Sequence, residues 1–205
     1  MAEKIYVGDL ESLVENKKVK GKQLKIGNEN FYKISNVDKM RPFFMSIVSN
    51  SNHWMFISST GSLSAGRKNS EFSLFPYYTD DKITESSDTT GSKTIITVKI
   101  NNKNFLWEPF SNRFKGAYKV SRNIYKNTIG NKVIFEEINH DLNIEFSYQW
   151  NSSNKYGFIR KSSLKNNFNN DLDINILDGI QNILPYGVGE GLQIAQSNLV
   201  DAYKK

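Results

Sequence analysis

Cysteine is absent from the 205 residues, which excludes disulfides, cysteine-ligated zinc, iron–sulfur clusters and a thiol nucleophile. Histidine occurs only twice, at His53 and His140, too few for a multi-histidine metal site. No long hydrophobic run is present. The longest largely apolar stretches, residues 42–45 and 94–100, are far short of a bilayer span, and residues 1–10 carry acidic side chains and no apolar leader segment. Neither a membrane nor export is therefore expected, and a cytoplasmic location is the simplest expectation. Alanine is scarce as well. Five Ala and 13 Leu stand against 20 Ile, 10 Val, 13 Phe and 10 Tyr, and β-branched and aromatic side chains fit a pleated, half-buried surface better than a helix.

The charge is +6, from 27 basic and 21 acidic residues, with a local excess at Lys17, Lys18, Lys20, Lys22 and Lys25. Nucleic-acid binding needs base-reading or stacking groups beside a basic stripe, and this cluster has neither arginine nor aromatic. It reads as a solvated, lysine-rich loop, and nucleic acid is not an expected partner. A chain of this length buries a core without covalent staples.

Periodicity gives the organisation. Leu142, Ile144, Phe146, Tyr148 and Trp150 alternate with Asn143, Glu145, Ser147 and Gln149, the pattern of a strand with one buried and one wet face. Thr94, Ile96, Val98 and Ile100 share a face in the same way, before a turn at Asn101-Asn102-Lys103 into residues 105–110. Further strands are predicted over 31–35, 43–49, 54–59, 117–128, 132–139, 156–164 and 172–180, with loops over 60–69 and 84–92. Leu10, Leu13 and Val14 suggest a short helix over 9–16. Leu192, Ala195, Leu199, Ala202 and Tyr203 suggest an amphipathic helix over 193–203. About ten strands at hairpin spacing predict an all-β, large antiparallel β-sandwich with a C-terminal linker helix. Its expected division is a peripheral segment over 1–29, the sandwich over 30–188 and the start of a helical linker over 189–205.

Few side chains offer chemistry. Asp80-Asp81 and Glu136-Glu137 are adjacent pairs, and on a strand adjacent side chains point to opposite faces, the wrong layout for a shared acid–base site. Asp171-x-Asp173 lacks the further oxygen ligands that calcium needs. The run Gly187-Val188-Gly189-Glu190-Gly191 is not a dinucleotide fingerprint, and residues 61–66 do not have the spacing of a nucleophile elbow. No catalytic residue, metal ligand or cofactor is therefore assigned. His53 and His140 fall in predicted turns without an adjacent nucleophile. An acid–base role would require them to face a carboxylate across a common cleft. The aromatic residues carry more information. Trp150 continues a buried face. Trp107 precedes Glu108-Pro109, which places it near a sheet edge, where an indole face can stack on a sugar ring. Trp54, Tyr77, Tyr78, Asp80 and Asp81 complete the candidate carbohydrate contacts.

Several stretches have a familiar look: Pro42-Phe43-Phe44-Met45-Ser46, residues 52–59 (NHWMFISS), Gly66-Arg67-Lys68-Asn69, residues 75–82 (FPYYTDDK), Leu106-Trp107-Glu108-Pro109-Phe110 and residues 177–187 (LDGIQNILPYG). Together, over about residues 30–203, they resemble the amino-terminal region of large bacterial cellobiose-phosphorylase-like proteins, relatives of the disaccharide phosphorylases and of glycoside hydrolases with an α/α toroid. The resemblance implies a galactose-mutarotase-like supersandwich that supports a downstream catalytic toroid and often contributes to dimerisation. In such proteins the toroid holds the general acid for phosphorolysis or hydrolysis of a glycosidic bond. A toroid does not fit within 205 residues, so the expected role is a non-catalytic domain of a carbohydrate-active enzyme. Its expected partners are carbohydrate, the downstream catalytic domain and a second copy. A free-standing lectin-like module and a mutarotase-like sugar epimerase are the alternatives.

Overall fold

The computed structural model describes residues 5–7, 10–12, 17–76, 80–196 and 202; for residues 5–7, 10–12, 80 and 81 the description is of backbone alone. In chain order the strands are β1 (Ile5–Val7), β2 (Leu10–Ser12), β3 (Lys20–Ile26), β4 (Glu29–Ser35), β5 (Phe44–Ser46), β6 (His53–Ser58) and β7 (Leu63–Arg67). Helix α1 (Asp80–Glu85) precedes β8 (Gly91–Ile100), β9 (Lys103–Trp107), β10 (Val120–Asn127), β11 (Lys132–Asn139), β12 (Ile144–Ser153), β13 (Gly157–Asn166) and β14 (Asp173–Gln181). Helix α2 (Glu190–Ala195) follows.

All pairing is antiparallel. One sheet has six strands in the order β13-β12-β11-β10-β4-β3, and two three-stranded sheets run β14-β8-β9 and β5-β6-β7. One hydrophobic core joins the three. Ile124, Val133, Phe135, Phe146 and Trp150 from the large sheet pack with Ile96 and Val98 of β8 and with Met55, Ile57 and Leu63 of β6 and β7. The fold is an all-β antiparallel sandwich with short helices, as the alternation predicts. Burying each large side chain contributes roughly 1.5–3 kcal/mol, so β12, with Ile144, Phe146, Tyr148 and Trp150 all buried, contributes most of any described strand.

The turn chemistry matches the pairing. Asn101 and Asn102 both have positive φ (49° and 61°), the geometry of the tight turn whose twist suits a hairpin, here between β8 and β9. Several local readings differ from expectation, among them helix α1, whose residues 84 and 85 fall in an expected loop. The lysine-rich stretch is strand rather than loop: β3 pairs with β4 throughout, from Lys20↔Ser35 to Ile26↔Glu29, and forms one edge of the large sheet. Lysines at a sheet edge discourage pairing with other chains, which hides such a strand from hydrophobic pattern reading. The region 60–69 likewise contains β7. It is buried through small residues, Ser64, Ala65 and Gly66, and a Cβ on Gly66 would stand 2.5 Å from the Phe72 carbonyl oxygen and 2.6 Å from the Trp54 ring. Residues 10–12, expected to be helical, are strand and pair with β1. At the other terminus α2 begins at Glu190 and ends at Ala195; residues 197–201 and 203 of the expected helix lie outside the described residues. No described helix is long and apolar enough to cross a membrane.

Candidate functional site

Cross-strand register gives the sandwich two ends. The row Arg122–Glu137–Phe146–Leu164 crosses β10 to β13 toward one end, and the row Lys126–Val133–Trp150–Arg160 crosses toward the other. All of these positions share the face that carries the core.

The first end carries a cavity of about 390 Å³ walled in part by Val37, Phe110 and Phe135, and beside it Glu137 and Arg122 are paired with each other. Glu137 is only 1% exposed. Its Oε1 accepts from Trp107 Nε1 at 2.8 Å, and its Oε2 accepts from the Phe110 amide at 2.8 Å and from Arg122 Nε at 2.6 Å. The remaining Arg122 nitrogens donate to Asn112 Oδ1 (3.0 Å) and to the Ser111 carbonyl (2.7 Å). A buried carboxylate is tolerable only when paired and hydrogen-bonded in this way. The network corrects the expectation for Trp107. Its strand does lie at a sheet edge, as Pro109 suggested, but alternation turns Leu106 outward and Trp107 inward, 2% exposed, with no indole face open to a sugar.

The second end is open. A cavity of about 510 Å³ lies there, between the β6–β7 pair, the β12–β13 hairpin and the segment after β14. Trp150, Phe75, Phe158, Ile180 and Ile183 supply apolar wall; His53, Arg67, Asn154 and Lys155 supply polar groups. Each has a local cause. His53 opens β6 opposite Arg67 of β7, so the two side chains share a face. Asn154, Lys155 and Tyr156 form the β12–β13 turn, which closes on Gly157 at φ +76°. His53 Nδ1 lies 2.6 Å from Ser51 Oγ, and the imidazole meets the Phe158 ring edge-on at 5.4 Å. A Cβ on Gly157 would sit 3.5 Å from His53 Nε2, so the other ring nitrogen faces the turn. Tyr156 is 69% exposed, with Lys155 Nζ 5.0 Å from its ring centroid.

The other candidates distribute differently. Trp54 is half-buried, 5.8 Å from Phe56, and is not part of this cavity wall. Tyr77 and Tyr78 lie outside the described residues; Asp80 and Asp81 open α1, of which only their backbone is described. His140 Nε2 lies 2.8 Å from Ser121 Oγ, and His140 is not in the wall that holds His53. Among the described residues that wall contains no carboxylate, so they do not assemble the acid–base pair of an epimerase there. Among the described residues no group of three or more His, Asp or Glu side chains is arranged to hold a metal ion.

Two further polar clusters are structural. Asp178 of β14 accepts from Arg160 (2.7 and 2.8 Å), Ser162 (2.6 Å) and Thr94 (2.6 Å), tying the small sheet to β13. Burial pushes its carboxyl up, but these hydrogen bonds and the guanidinium charge outweigh burial and hold it below its ordinary range. On the outer face of the large sheet, Glu136 accepts from Tyr125 (2.8 Å) and Asn123 (2.6 Å), and Lys33 donates to Tyr125 at 2.7 Å. Burial, and then the repulsion and hydrogen bonding of Glu136, push the Tyr125 phenol up. Burial and the same carboxylate raise Glu145.

Sequence reasoning did not single out Arg67, Asn154, Lys155, Tyr156 or Phe158. An aromatic residue in a polar turn, Asn154-Lys155-Tyr156-Gly157, was the available signal. Comparison with protein-family models and with curated proteins found no match to this chain.

Proposed function

We propose that this chain is a non-catalytic, supersandwich-like β-sandwich module of a carbohydrate-active protein, and that the cavity at its open end holds a saccharide. The observation that carries the reading is the exposed Tyr156 at the rim of a cavity whose wall combines aromatic surface with His53, Arg67 and Asn154. A sugar ring presents apolar C–H faces and a girdle of hydroxyls, so it needs a flat aromatic surface and nearby hydrogen-bonding groups together. The volume falls within the roughly 300–1,000 Å³ usual for small-molecule sites. Among the described residues the wall holds no carboxylate, which favours binding over bond cleavage. Titration calorimetry against a panel of neutral and acidic oligosaccharides tests the reading: binding to at least one, lost in Tyr156→Ala, supports it, and silence across the panel refutes it.

A second role, support of a larger sugar-processing domain, is favoured by the outward apolar surface on β14 and α2. Leu177 of β14 and Ile194 of α2 are 70% and 77% exposed. Side chains of this kind are the material from which domain interfaces are made.

A further inference from the structure

We infer that the saccharide held in the open-end cavity carries a carboxylate, an inference that rests on the saccharide reading above and narrows it. The charges of the wall are one-sided. Arg67 and Lys155 are cationic, His53 and Asn154 offer hydrogen-bonding groups, and among the described residues neither Asp nor Glu lines the space. The contrast with the rest of the sandwich is informative. Arg122 is paired with Glu137 and Arg160 with Asp178, each in direct hydrogen-bonded contact. Among the described residues Arg67 has no carboxylate within ion-pair distance, and the contact shown for Lys155 is the Tyr156 ring.

Two cations converging on an apolar-walled cavity raise the local concentration of anions, and the planar guanidinium fork matches a carboxylate. The aromatic surface needs a ring with an apolar face. One molecule satisfies both demands when the anion is attached to the sugar, as in a uronic acid. A neutral saccharide would use the ring surface and leave the charges unanswered. A small inorganic anion would meet the charges and leave the aromatic wall bare.

The test is calorimetric titration of the full chain with a trigalacturonide, with neutral maltotriose and with sodium sulfate. The expected result is that the trigalacturonide binds at least about tenfold more tightly than maltotriose, a gap of one decade in Kd. Raising the salt concentration should shrink that gap. Arg67→Gln, an exposed site where the fold has little at stake, should bring the two saccharides to within about threefold of each other. Equal binding of acidic and neutral saccharides overturns this inference and leaves the saccharide reading intact. Sulfate binding as tightly as the trigalacturonide also overturns it, because the site is then an anion site without sugar selectivity. If none of the three binds, and no other saccharide does, the saccharide reading itself falls.

Discussion

The two ends of the sandwich are built from the same strands and treat charge in opposite ways. At the Glu137 end, one buried carboxylate accepts hydrogen bonds from Trp107, Phe110 and Arg122, and the remaining guanidinium nitrogens are also engaged. At the Trp150 end, His53, Arg67 and Lys155 ring a cavity with no acidic partner among the described residues of its wall. Charge that is neutralised within the fold supports the fold; charge left facing a cavity is available to a ligand. Stability and binding should therefore separate along the length of β10–β13.

The sharpest break of that comparison is at the Glu137 end. Glu137→Leu leaves the largely buried Arg122 charge and the Trp107 and Phe110 donors without their acceptor, and about 3–5 kcal/mol of stability should be lost. Urea denaturation measures it, and a loss below 1 kcal/mol would show that the network is dispensable. Next comes Gly66→Ala, whose new methyl group meets backbone and the Trp54 ring; overpacking of this kind costs about 1–3 kcal/mol.

A smaller effect belongs to the seam between sheets. Asp178 titrates below its ordinary range, so it stabilises the fold at any pH above the unfolded value, about 3.9, and that contribution fades as pH falls through the lower folded value. Asp178→Asn should lower stability at neutral pH and flatten the acid limb of the stability curve. An unchanged acid limb would assign that limb to other carboxylates. The smallest effects on stability fall at the open end and on α2: Tyr156→Ala and Ile194→Lys should each stay within about 0.5 kcal/mol of the unaltered chain, because both side chains are largely solvated. Thermal melts check both. For Tyr156→Ala the same sample should nonetheless lose saccharide binding.

What could be read beforehand followed the greasy periodicities. Ile144, Phe146, Tyr148 and Trp150 announce β12, and Thr94, Ile96 and Val98 announce β8, because alternation of large apolar residues is what a half-buried strand requires. β7 escaped because it is buried by serine, alanine and glycine, whose small size serves close backbone approach rather than hydrophobic burial. β3 escaped because the lysines that protect a sheet edge look like a loop. Trp107 shows a different limit. The proline two residues later located the edge of the sheet but not the direction of the indole, which is set by the carboxylate of Glu137 thirty positions away. The cavity was illegible for the same reason: His53, Arg67, Tyr156 and Ile183 come together only through long-range packing.

One measurement addresses the separation of the two ends directly. Amide chemical shifts of the isotope-labelled chain should be followed by NMR while trigalacturonide is added. The account predicts that the perturbed residues cluster at 53, 67, 154–158 and 180–183, with 107–112, 122 and 137 unmoved. Shifts centred on the Trp107–Arg122–Glu137 end, or none anywhere at saturating saccharide, would contradict it.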